Sequence, residues 1–458
     1  MPSDPCPVRS QIYKILLALV LGVVVFFWLA NFLTLEQSVL SGTLVFLVVL
    51  WTNEGLPLGV VSLSPVILFP SLNILGVNET CASYSKSILF LFLGGFFLGL
   101  AIEKVDLHRA LIQRMFRVFP YTPKGILASL ALASAALSCM LSNTTTTLLL
   151  MPLAIHVTDI PTLRKGCILA VAYGATIGGI MTPVGTPPNL IFLGYLESNG
   201  IAGIPFAKWM LATIPLALVM IIMLIIFLAR QQKDTILDVK LAGTLQPLDK
   251  QQKKLSILLV IAASVLLLNS PIEPFYSGLG LNEKLLLLLF GLILFFPGLN
   301  FLEWSDTRRT PYEILFLFGA GFAIAKAIAV TGLDQQIAGM LAGLSGLSLM
   351  GWFLLIAIFV TFTTELTSNM ALITVALPIL LKLSQSVGLP TELVLMLATI
   401  CASYAFMLPI ATAPNAIAMS SGFIRVQDMI KAGLFLNTCA VILTSVVALA
   451  YWKYLLQF

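Results

Sequence analysis

Ser138, Ser142 and Asn143 set oxygen-bearing side chains at i, i+4 and i+5 inside an otherwise apolar stretch. Thr364, Ser368 and Asn369 repeat that spacing 226 residues later. Hydroxyl, amide and main-chain carbonyl oxygens gathered this way suit a hard cation such as Na+. Downstream, Thr186-Pro187-Pro188-Asn189 recurs at the same offset as Thr412-Ala413-Pro414-Asn415. Proline inside an apolar segment breaks a helix. A broken helix offers free carbonyls to a cation at one end and free amides to an anion at the other. Gly185 and Ala411, one residue before each break motif, are small enough to let main chain approach an ion. Neither motif contains Lys or Arg. An anion bound there would be held by amides, hydroxyls, helix N-termini and co-bound cations. A single Ser-Asn-Thr triplet is better read as packing, because Ser and Thr in membrane helices bond back to the i−4 carbonyl. Two copies in one register, each followed by a break, reverse that reading.

The elements that must position these groups repeat as well. Ile88–Lys104 matches Ile314–Val330 at nine of seventeen positions without a gap. Apolar segments lie near 13–33, 38–52, 56–76, 88–105, 208–229, 255–269, 284–298, 311–331 and 432–452. Crossing a bilayer takes about 20 residues, so these read as spans. Residues 124–157 and 348–387 are apolar stretches cut by Ser138 to Thr147 and by Thr361 to Ser368. Each reads as a re-entrant hairpin whose arms are too short to cross. Each is followed by a long apolar segment with a break, at 182–189 within 166–196 and at 408–415 within 393–421. Irregular backbone at membrane depth survives only where protein or a wet cavity satisfies it.

Composition agrees. Of 458 residues, 59% are hydrophobic and 10% charged, with mean hydropathy +1.03. A soluble domain carries about 25% charged residues. Most of this surface must therefore face lipid, and the net charge of +5 belongs to membrane-flanking loops rather than to nucleic-acid binding. Six cysteines without CxxC spacing give no zinc site or disulfide framework. His108 and His156 lie far apart, and no Ser/Lys, paired-Asp or His/Glu constellation is present, so an enzyme is not expected. An ion channel would use similar polar breaks, but has no need of two equivalent cation sites at a closed midplane.

Charge placement sets topology. Leu107 to Lys124 contains Arg109, Arg114, Arg117 and Lys124, whereas its counterpart, Leu333 to Met350, contains no Lys or Arg. By the positive-inside rule the first is cytoplasmic and the second external, so the repeat is inverted. Arg230 to Lys254 carries six more basic residues on the cytoplasmic side. The expectation is an all-α polytopic membrane protein of about eleven crossings plus two re-entrant hairpins, N-terminus cytoplasmic. The first apolar run, Ile15 to Ala30, reads as a span, because no small-residue cleavage pattern follows it.

Ser142-Asn143-Thr144, Thr364 to Asn369, Gly185 to Asn189 and Met407 to Thr412 together resemble the divalent anion/sodium symporter family, and the likeness runs over nearly the whole chain. That resemblance implies a homodimer working as an elevator, each protomer with a scaffold (1–120 and 255–345) and a transport domain (121–254 and 346–458). It implies one sodium site at Ser138, Ser142, Asn143 and Gly185, and a second at Thr364, Thr367, Asn369 and Ala411. Substrate would meet Asn143, Thr144, Thr186, Pro187, Asn369, Met370, Thr412 and Ala413. Met370 and Ala413 depart from the family, where Thr and Pro are common. The implied activity is Na+-coupled symport of a C4 dicarboxylate such as succinate, malate or fumarate, with citrate, sulfate or Na+-independent exchange as alternatives. Compact loops point to a bacterial inner membrane.

Overall fold

A computed structural model describes residues 6–230, 232, 247–271, 276–342 and 346–456. Lys233 and Lys240 of the basic loop lie outside them. The described residues are overwhelmingly helical. Eight helices among them are long and apolar enough to cross a membrane, from Arg9–Leu29 to Val426–Leu455. The segment expected to span at 56–76 is instead a kinked helix, Leu58–Ser71. Pro65 sits at its centre and supplies no N–H to the ladder. The segment near 284–298 is helical only over Glu283–Ile293. Beyond it the chain turns through Gly298 and Asn300, both at positive φ.

The site is carried by eight helices. In the first half these are α1 (Pro123–Ser138), α2 (Asn143–His156), α3 (Pro161–Gly179) and α4 (Pro187–Ser198). In the second they are α5 (Leu349–Thr363), α6 (Asn369–Val387), α7 (Thr391–Ser403) and α8 (Ala413–Ser420). Start signals for several are local. Thr122 caps α1 by accepting from the Gly125 N–H, and Pro123 follows at its first position. Ser348 caps α5 through the Gly351 N–H. α6 runs 19 residues, longer than the half-span expected of a hairpin arm.

Small residues set the packing of the first half. A Cβ on Gly174 or Gly178 of α3 would lie 2.7 or 2.3 Å from the Ala131 or Ala135 carbonyl of α1. No side chain fits there, so the two helices touch backbone to backbone, the usual close packing of helices in lipid. All eight helices contribute to one large apolar core. A separate, smaller core joins residues of Leu35–Asn53, the kinked helix and one face of Tyr312–Thr331.

Candidate ion and anion site

The turn between α1 and α2 is held by its own polar groups. Ser138 donates to Asn143 Oδ1 at 2.6 Å. Ser142 caps α2, accepting from the Thr145 N–H at 3.1 Å and donating to Thr145 Oγ1 at 2.9 Å. Proline at the first positions of α4 starts that helix afresh after the break at 180–186. Thr182, in the break, donates to the Cys139 carbonyl of the turn at 2.5 Å. Asn189 bridges the break, its Nδ2 donating to the Gly179 and Thr182 carbonyls at 3.2 and 2.9 Å.

The second half repeats the frame. Thr364 Oγ1 lies 2.6 Å from Asn369 Oδ1 and 3.0 Å from the Ala402 carbonyl. Asn415 Nδ2 donates to the Ala405 and Leu408 carbonyls at 3.0 and 2.9 Å. Gly179 and Ala405, and likewise Thr182 and Leu408, are separated by the repeat offset of 226. Thr412 caps α8 by accepting from the Asn415 N–H at 3.4 Å.

One side-chain difference between the two halves bears on how the break is held. Glu365 is buried and accepts from the Phe406 and Met407 amides at 2.7 and 2.8 Å through Oε1, and from the Leu408 amide at 2.9 Å through Oε2. Asn437 Nδ2 donates to Oε1 as well, at 2.7 Å. Its repeat counterpart is Cys139, whose Sγ approaches only the Ala135 and Gly178 carbonyls and Met181. In the first half, the Ile180 and Met181 amides instead close i→i−3 turns at the end of α3, donating to the Ile177 and Gly178 carbonyls. Consequently α7 stops at Ser403, two residues sooner than α3.

A cation's requirements can be tested against this geometry. A Cβ on Gly185 would lie 2.5 Å from the Gly179 carbonyl and 3.0 Å from that of Ser138. One on Gly179 would lie 2.7 Å from Asn143 Oδ1. Two carbonyls thus meet beside Gly185, and the Asn143 amide oxygen, with the Ser138 hydroxyl bonded to it, lies beside Gly179, together an all-oxygen neutral set that fits a hard monovalent ion. Ser138 and Thr364 are fully buried behind the tips. Ser142 and Thr367 are turned to local bonds, Ser142 as the cap of α2 and Thr367 donating to the Thr363 carbonyl at 3.0 Å.

In front of the tips lies one cavity of about 450 Å3. Asn143, Thr144, Thr186, Pro187, Asn369 and Met370 line it, and Thr412 and Ala413 complete the wall. Leu50, Trp51, Thr52, Glu54, Leu56 and Leu58, outside the eight site helices, line it as well. Among the described residues lining it, Glu54 is the one that carries charge. Asn189, Asn415, Gly179 and Ala405 form the frame but were not assigned roles from sequence. The signal that finds the two asparagines is their shared place in the repeated break motif.

Paired broken helices and paired tips around one cavity, inside an apolar helical bundle, define a polytopic membrane transporter. The chain belongs to the family described as "Citrate transporter", which matches residues 46–399. It is 30% identical over 423 residues to the sodium-dependent dicarboxylate transporter SdcS of Staphylococcus saprophyticus, covering 86% of this chain and 82% of that protein. To SdcS of Staphylococcus aureus (strain USA300) it is 31% identical over 465 residues, covering 93% and 89%. The fold is similar to that of the Alcanivorax borkumensis YdaH transporter, with TM-score 0.57 at 14% identity over 81% of this chain and 86% of that one. These relatives agree with the family resemblance read from the tip and break motifs, and they are transporters rather than enzymes.

Proposed function

We propose that the protein is a Na+-coupled symporter of C4 dicarboxylates. The observation that carries this reading is the duplicated tip. A buried hydroxyl meets an asparagine Oδ1 at 2.6 Å in both halves, and both asparagines line the same cavity. In this reading Ser138, Asn143 and the carbonyls beside Gly185 hold one sodium ion. Thr364, Asn369 and the carbonyls before Ala411 hold another. Each asparagine shares its amide between ion and substrate. Substrate carboxylates meet Thr144, Thr186 and Thr412 and the N-termini of α4 and α8, where the helix dipole favours negative charge. Two bound cations offset a dianion, so no Lys or Arg is required. The SdcS relatives, sodium-dependent dicarboxylate transporters by name, support both the ion and the substrate class. A cavity of about 450 Å3 is within the usual range for small-molecule sites, ~300–1,000 Å3.

The same reading makes the two helical tips re-entrant, inverts the repeat across the membrane with the N-terminus cytoplasmic, and moves the site helices as an elevator against a scaffold in a homodimer of a bacterial inner membrane. Uptake of radiolabelled succinate into proteoliposomes, with and without an inward Na+ gradient, tests the whole proposal. Accumulation only with the gradient is expected. Uptake indifferent to Na+ would leave Na+-independent exchange, and no uptake of any dicarboxylate would refute the substrate class.

A further inference from the structure

The two halves share their hydroxyl–amide pairs, break asparagines and small residues, but only one contains a buried carboxylate. Three successive main-chain N–H groups, of Phe406, Met407 and Leu408, converge on Glu365. Successive amides of that kind make an anion-binding concavity. Here the protein fills it with its own side chain, and Asn437 adds a fourth donor from the helix Val426–Val447. Four donors and no acceptor suit a carboxylate, an acceptor-only group. Glu365 adjoins Thr364 in the chain, and Thr364 bonds both Asn369 and the Ala402 carbonyl. Glu365 is thus the chain neighbour of a cation ligand of the second half, and its carboxylate holds the amides that directly follow the Ala405 carbonyl. In the first half Cys139 provides neither charge nor grip, and the equivalent amides of Ile180 and Met181 close turns onto the end of α3.

We infer that Glu365 is a positioning residue that makes the second sodium site the tighter of the two, so that sodium fills the half-sites in a fixed order, second before first. The inference rests on the sodium coupling proposed above. Two effects act together. Fixing the amides of 406–408 removes the main-chain freedom that a cation would otherwise have to freeze on binding. A fixed negative charge close to the ion, within a poorly polarisable interior, adds attraction that the first site lacks. Glu365 itself need touch neither ion nor substrate.

The test compares wild type with Glu365→Gln, which keeps shape, loses the charge and turns one acceptor oxygen into a donor. Sodium half-saturation of succinate uptake is measured at saturating succinate, and succinate half-saturation at saturating sodium. The expected outcome is a rise in the sodium value of about tenfold, the size of a unit charge about 12 Å from the ion at an effective dielectric of about 20, with the succinate value unchanged. Glu365→Asp, which keeps the charge, should lie between the two proteins. A merely structural role would move both half-saturations or lower only the amount of folded protein. An unchanged sodium value in folded Glu365→Gln, or equal shifts in both values, overturns the inference. Should Glu365→Gln not fold, Asn437→Ala removes one donor and keeps the carboxylate. A selective rise in its sodium value supports the inference, and an unchanged one overturns it. Wild-type uptake that ignores sodium would instead sink the coupling itself, and the wild-type arm alone shows that.

Discussion

The half-site between α1 and α4 and that between α5 and α8 share one offset and one hydrogen-bond frame, but they are held in different ways. The first is built on absence of side chains. Gly174 and Gly178 bring α3 against α1, and Gly185 leaves room for the Gly179 and Ser138 carbonyls. The second adds a carboxylate to close approach, for a Cβ on Gly433 would lie 2.3 Å from the Phe406 carbonyl. Ala411 stands where the first half has Gly185, and Glu365 grips the break, whereas in the first half Thr182 ties it to the Cys139 carbonyl. Duplicated halves need only preserve the ligand atoms. The support behind them is free to diverge, because a carbonyl can be aimed by packing or by hydrogen bonding.

Substitutions at the shared atoms should have the largest effect and should hit both halves alike. Asn143→Ala and Asn369→Ala are each expected to abolish succinate uptake while the purified protein stays folded. Each loses an oxygen that in this reading serves ion and substrate together. Uptake near wild type in either variant would count against the assigned sites.

Gly185→Ala separates the halves. The added methyl would fall 2.5 Å from a main-chain carbonyl, which cannot swing away as a side chain can. Loss of Na+-driven uptake is expected. Ala411→Gly only removes a methyl and frees the chain, at a cost of about 0.5–1 kcal/mol, and should transport nearly as well as wild type. Equal damage from both would mean that the halves are supported in the same way.

Ser138→Ala and Thr364→Ala probe the buried hydroxyls. Both should raise the sodium concentration for half-maximal uptake, with Thr364→Ala the larger because its hydroxyl also faces the Ala402 carbonyl. A collapse in succinate affinity at constant sodium dependence would show the roles to be reversed.

The smallest effect belongs to Met370, which stands opposite Thr144 in the repeat and lines the cavity while packing against apolar neighbours. Met370→Thr restores a hydroxyl. One neutral hydrogen bond is worth about 0.5–1.5 kcal/mol, so succinate should gain at most about tenfold over sulfate in competition. No change for succinate, citrate or sulfate would assign Met370 to packing alone.

Much of this was legible in the chain because a duplication writes the same message twice. Ser142-Asn143 with Ser368-Asn369, and the two break motifs, mark atoms that neither propensity nor hydropathy would single out in one copy. The expected breaks at 182–189 and 408–415 fall close to those observed at 180–186 and 404–412. The second begins four residues early, and the reason is not local. Its amides are taken by a glutamate some forty residues upstream. The segment at 56–76 misled for a simpler reason. Hydropathy counts apolar residues and is blind to a central proline that kinks them.

Sequence alone determined the membrane class, the repeat, the polar tips and the presence of each break. These follow from composition, periodicity and residues that cannot continue a helix. Tertiary structure decided which oxygens converge, that both tips open on one cavity, and that Glu365 faces main-chain amides rather than water. Those depend on groups some forty to seventy residues apart meeting at hydrogen-bond distance, and no local rule fixes such a meeting.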